Sequence, residues 1–230
     1  MAAARRAGCR ATLAVGVALA ACAPALAEDG AGGLFMGVRA IGAVSEINDV
    51  ETTGFTGPAS IETDRDEVAG LGVVFGYAMR GVPLRVELEV TRRIRFDLDV
   101  RDAVPSAVID NEINVATTSA LFNALLEWRN SSDFTPFAGA SLGWARNSTD
   151  NDRTAIATQI KTSHQNDEDN FAWGAMAGVD WKFAESWAAG LAYRYIDLGN
   201  VDTGLAPTGD RIVGDKYVSH DVLLSLIFHF

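Results

Sequence analysis

The chain has 230 residues, with 19 lysines and arginines against 30 aspartates and glutamates, for a formal charge of −11. That acidity excludes a role built on attraction to nucleic-acid phosphates. The only cysteines, Cys9 and Cys22, leave no internal disulfide for the body of the chain, and no stretch beyond residue 27 reaches the roughly 18 apolar residues of a transmembrane helix.

In chain order, Arg5, Arg6 and Arg10 precede an apolar run from Ala11 to Ala21, and Ala25-Leu26-Ala27 stands just before Glu28-Asp29. This is the pattern of a cleaved export signal, so the expected division is a signal peptide over 1–27 and one domain over 28–230. Leu19-Ala20-Ala21-Cys22 offers the alternative of a lipid-attachment site at Cys22. Loss of the three signal arginines would take the charge to −14.

The remainder predicts eight strands. Leu34 to Val44 is the first, diluted by small residues. Ala69 to Arg80 follows, with Leu71, Val73, Phe75 and Tyr77 on one face and Gly70, Gly72, Gly76 and Arg80 on the other. From Leu84 to Val100 the alternation is the clearest: Leu84, Val86, Leu88, Val90, Ile94, Phe96 and Leu98 oppose Arg85, Glu87, Glu89, Thr91, Arg93, Arg95, Asp97 and Asp99. Only a period of two separates those sets. Ala116 to Trp128, Phe134 to Arg146, Phe171 to Phe183, Trp187 to Tyr195 and His220 to Phe230 complete the count. Long polar connections are expected at 45–67, 101–111, 147–170 and 199–217. Tight turns at 81–83, 130–133 and 184–186 alternate with them.

Strict alternation of short and long connections is the asymmetry of a membrane barrel, with turns on the periplasmic side and loops outside. A soluble barrel of the lipocalin type also alternates along its strands, but its bulky face would turn inward. Here the other face is too small and charged to pack as a dry core. The expected fold is therefore all-β: an eight-stranded antiparallel up-and-down transmembrane β-barrel from about Gly33 to Phe230. Trp128, Trp144, Trp181, Trp187, Tyr193 and Tyr195 fall near strand ends, where an aromatic girdle would meet the lipid interface.

The charges on the inner face must pair, because a lone buried charge is costly. The expected lumen network contains Arg39, Arg80, Arg85, Glu87, Glu89, Glu127, Asp180, Arg194 and Asp221, with Arg146 and Lys182 as further partners. Arg95 to Asp99 are expected to stand above the bilayer. Since an eight-stranded barrel is just wide enough to be filled by side chains, a polar plug is favoured over a conducting path.

Phe134-Thr135-Pro136-Phe137-Ala138-Gly139-Ala140-Ser141-Leu142-Gly143-Trp144, Phe171-Ala172-Trp173-Gly174-Ala175-Met176-Ala177-Gly178-Val179-Asp180-Trp181 and Tyr193-Arg194-Tyr195-Ile196-Asp197-Leu198-Gly199 resemble the small eight-stranded outer-membrane β-barrel proteins of Gram-negative bacteria, the porin-family or opacity-type surface proteins. That resemblance implies the outer membrane as location, with its lipid and lipopolysaccharide as surroundings. It also implies that terminal Phe228 and Phe230 act as the signal read by the barrel-assembly machinery. The family includes structural proteins, adhesins, antigens and narrow pores, so it implies little about activity.

Catalytic chemistry is scarce. His164, His220 and His229 do not cluster, and Ser219-His220-Asp221 has triad residue types but adjacent strand residues face opposite ways. No catalytic residue, cofactor or metal is implied. The acidic connections, among them Glu46, Asp49, Glu51, Asp150, Asp152, Asp167, Glu168 and Asp169, read as solvated surface, with divalent cations bridging lipopolysaccharide phosphates as the alternative. The expectation is a non-enzymatic surface protein, the alternatives being a narrow channel or an adhesin acting through its loops.

Overall fold

The structure, a computed structural model, describes residues 33–54, 59–61, 65–94, 96–104, 107–155, 160–205, 209 and 211–230. The export signal and the lipid-attachment alternative lie outside them. The strands are β1 (Gly33–Thr53), β2 (Ala59–Ile61), β3 (Arg65–Ala78), β4 (Leu84–Ile94), β5 (Phe96–Val104), β6 (Ala107–Glu127), β7 (Phe134–Ala155), β8 (Ile160–Lys182), β9 (Trp187–Asp197), β10 (Val201–Asp202) and β11 (Arg211–His229). No helix occurs among the described residues.

Eight of these strands close an antiparallel ring in the order β1-β3-β4-β6-β7-β8-β9-β11, with β11 back on β1. A ring pairs every backbone N–H and C=O in its walls, which a lipid environment demands. Paired residues can be followed round it: Val179, Leu191, Leu224, Ala40, Leu71, Arg92, Thr118, Arg146 and back to β8 at Asp169, ten residues from the start. A stagger of that size in eight strands tilts them by about 40° to the barrel axis.

The period-two pattern decides which face each side chain takes. Leu71, Val73, Phe75, Leu88, Val90, Leu142, Leu191, Val222 and Leu224 are all at least half exposed and point outward, while Val74, Leu121, Leu125, Met176 and Leu223 are buried inside. A continuous apolar outer surface of this kind has no place in water, and it fits hydrocarbon.

The long polar connections are where expectation and structure part. The strands do not stop at the rim: β6, β7 and β8 run for 21, 22 and 23 residues, and β1 continues nine residues past Val44 to Thr53. Crossing a membrane takes about 10 residues, so roughly half of each long strand projects beyond it. Polarity suggested loops here, yet an extended hairpin in water needs no apolar outer face. It needs only paired backbone and some shared core. That core exists. Ile47, Ile113, Val115, Leu198, Val201, Ile212 and Tyr217 are buried together above the polar lumen.

The strand read as continuous from Leu84 to Val100 is interrupted. Arg92 pairs with Thr118 but Phe96 with Val115, so the register against β6 slips by one residue between β4 and β5. Arg95 and the side chains of Asp97 and Asp99 lie outside the described residues.

Candidate functional site: the charged lumen

The inner face of β4 supplies Arg85, Glu87, Glu89, Thr91 and Arg93, each no more than 3 % exposed. Alternation places them in one column, and barrel closure brings their partners from the other walls. At the turn end, Arg85 reaches Asp180 at 2.5 Å, Glu127 at 3.0 Å and Glu87 at 3.1 Å. Its guanidinium also lies over Phe137, 4.7 Å from the ring centroid. In the middle, Glu89 accepts from Arg39 and, at 2.8 Å, from Arg194. Asn123 donates to Glu87 and Glu89 at 3.2 and 3.0 Å. Higher still, Asp221 is shared by Arg93, at 2.6 Å, and by Arg194, at 2.9 Å.

Of the charges read as a lumen network, Arg39, Arg85, Glu87, Glu89, Glu127, Asp180, Arg194 and Asp221 lie together. Arg80 lies at the turn end of the barrel. β3 ends at Ala78, and Arg80 is exposed in the turn that follows. Arg146 does not face inward. It lies two residues from outward Trp144, and period two puts it on the same outer face, paired with Asp169 at 2.7 Å. Lys182 is exposed at the turn-end mouth. The member not anticipated is Arg129, two residues past β6, which meets Glu127 at 2.8 Å and donates to the Met79 carbonyl. Its place beyond a strand end gave no periodic signal.

Five arginines, Arg39, Arg85, Arg93, Arg129 and Arg194, therefore face five carboxylates, Glu87, Glu89, Glu127, Asp180 and Asp221. Such a set is electrically neutral, and each of its charges has an opposite charge within ion-pair distance. At the turn end a vestibule of about 340 Å³ remains, bordered by Arg85, Glu127, Arg129, Asp180, Lys182 and His229. At the other end the apolar core of the projecting strands lies over the network.

On the outer surface, Trp128, Trp181 and Trp187 form a belt by the turns together with Phe134, Phe183, Phe228 and Phe230. Trp187 meets Phe228 edge-on at 5.0 Å, and Phe228 meets Phe230 at 5.3 Å. Trp144, Tyr193 and Tyr195 stand at the opposite edge, joined by Trp173 beside Tyr195. Ser219 and Asp221 point inward, whereas His220 points out and shares a 2.6 Å hydrogen bond with Tyr193.

A closed eight-stranded ring with an apolar exterior, two aromatic edges and a charged interior is the architecture of an outer-membrane barrel. The sequence model described as outer membrane protein beta-barrel domain matches residues 13–230. The chain belongs to this family. Outer membrane protein PagN of Salmonella typhimurium (strain LT2) is 26 % identical over 172 residues, 72 % of this chain and 70 % of PagN. Among solved structures, Neisserial surface protein A superposes with a TM-score of 0.50 at 16 % identity, covering 86 % of this chain and 97 % of that one. OprG of Pseudomonas aeruginosa gives 0.49 at 15 %, with coverage of 86 % and 97 %. The likeness to Neisserial surface protein A shows a shared fold, and the family places the protein in the outer membrane.

Proposed function

We propose that this outer-membrane barrel is a non-enzymatic, non-conducting scaffold that displays β-structure outside the cell, and that its activity is recognition by the projecting hairpins. The observation that carries this reading is the closed lumen: ten paired charges fill it, and an apolar core lies above them. A narrow channel would need a wetted path past Arg93, Arg194, Glu87 and Glu89, each at most 1 % exposed. The length of β7 and β8 beyond the bilayer gives the outer part a folded surface on which a partner can dock. Export through cleavage after Ala27, and capture by the assembly machinery through Phe228 and Phe230, complete the proposal.

The test is conductance of the folded protein in a planar bilayer, with folding verified by heat-modifiable migration. A silent membrane is the expected outcome. Reproducible steps whose selectivity changes with Glu87→Gln would overturn the closed-lumen reading.

A further inference from the structure

We propose that Arg92, Thr118 and Arg146 form a binding site on the lipid-facing wall for the phosphate of a phosphorylated outer-leaflet lipid. The three residues are in direct register on adjacent strands, Arg92 of β4 opposite Thr118 of β6 and Thr118 opposite Arg146 of β7. Strands lie about 4.8 Å apart, so the two arginines start about 10 Å from each other with the threonine between them. The tilt of the barrel raises Arg146 about 6 Å above Arg92 along the axis. Two guanidinium groups approaching from different heights, with a hydroxyl between, match a tetrahedral oxyanion.

The level on the barrel wall fixes what the row can meet. Arg92 stands between outward Val90 and Ile94, which are 51 % and 57 % exposed. A cation in such a place is unfavourable against hydrocarbon and suits the headgroup boundary, where lipid phosphates lie. Arg146 stands one outward position beyond Trp144, with its guanidinium carbon 5.4 Å from the indole centroid. Interfacial tryptophan marks the same boundary. The rest of this rim is different: β9 and β11 present Tyr193, Tyr195 and His220, and the nearest cation of β3, Arg65, is paired with Glu46.

Donors are left over for a ligand. Arg92 donates Nη1 to the Thr118 hydroxyl at 2.5 Å and has no carboxylate within ion-pair distance among the described residues. Arg146 uses Nε and Nη2 on Asp169, which leaves Nη1. In a chain of net charge −11, an anionic lipid finds few such places, which would confine binding to this quadrant. The site is independent of whether the lumen conducts, so its failure would leave that reading untouched.

The experiment is native mass spectrometry of the full-length protein purified from outer membranes, titrated in detergent with diphosphorylated lipid A or with the same lipid after dephosphorylation. The expected result is preference for the phosphorylated form, weakened about tenfold by Arg92→Gln and less by Arg146→Gln, since a charge-assisted hydrogen bond supplies roughly one decade of affinity. Arg65→Gln should leave retention unchanged. Arg92→Lys, which keeps the charge but not the planar fork, should give an intermediate loss and serves if the glutamine variant does not fold. Equal retention by Arg92→Gln, or indifference to dephosphorylation, would overturn the site. Complete displacement of the lipid by excess inorganic phosphate would identify a free anion as the ligand and overturn the lipid assignment.

Discussion

Arg93 on β4 and Asp221 on β11 meet across the lumen through two hydrogen bonds of 2.9 and 2.6 Å, joining walls that are not neighbours in the ring. Because Asp221 also receives Arg194, it is, among the described residues, the only carboxylate for one guanidinium and half of the support for another. Asp221→Asn should therefore leave a buried cation uncompensated and destabilise the barrel by about 3–5 kcal/mol. Urea unfolding followed by tryptophan fluorescence would read this as a lowered midpoint. The exposed pair Arg146–Asp169 is the control, and Asp169→Asn should leave the midpoint where it was.

Closure of the ring depends on how near β6 and β7 come. A Cβ placed on Gly139 would lie 2.0 Å from the Ala124 carbonyl oxygen, and one on Gly143 would lie 2.1 Å from that of Ala120. These contacts are to backbone, which cannot swing aside as a flexible side chain can. Gly143→Val should prevent the ring from closing, so that boiled and unboiled samples migrate alike. Gly42→Val is the comparison, since nothing lies within 4 Å of its added Cβ, and it should retain the fast-migrating folded band.

The alternation from Leu84 to Ile94 made the strand, its two faces and the buried charges legible in the sequence alone. What alternation could not say was which cation meets which anion. Arg93 finds Asp221, 128 residues away, because of the stagger of the whole ring, which is a property of closure and appears in no single strand. Small residues blur the phase of β7, so the outward face of Arg146 is legible only from its spacing of two from Trp144. The projecting hairpins were hidden for another reason. Outside the membrane the selection for an apolar outer face ends, so the same backbone geometry continues under a sequence that looks like loop.

Acid should loosen the projecting part before the barrel. Asp202, on β10, is held below the ordinary aspartate value of 3.8 by Arg211, and the Gly204 N–H adds a second hydrogen bond at 2.8 Å. A carboxyl whose folded pKa is depressed stabilises the fold fully above the unfolded value and loses that contribution as pH falls through the folded one. Amide exchange around Val201–Asp202 and the start of β11 should thus accelerate on going below about pH 4, while the buried strands stay protected. Asp202→Asn should remove this pH dependence and exchange fast throughout. An acid response that persists in that variant would assign it to another carboxylate.

The orientation of the barrel is open to a direct check through its two unequal ends. β7 and β8 are joined beyond residue 155, far past the aromatic edge at Trp144, whereas Ser132 lies in the short turn next to Trp128. About ten residues per strand cross the lipid, so Asp167, exposed on β8 above outward Phe171, belongs to the projecting end. If that end faces the outside, a bulky maleimide that cannot pass the outer membrane should label Asp167→Cys on intact cells. It should label Ser132→Cys only after the membrane is breached, with the parent chain, which carries Cys9 and Cys22, as the baseline. The opposite pattern would invert the barrel. It would put the hairpins in the periplasm and remove the basis for recognition outside the cell, since the surface that has its own core is the projecting one.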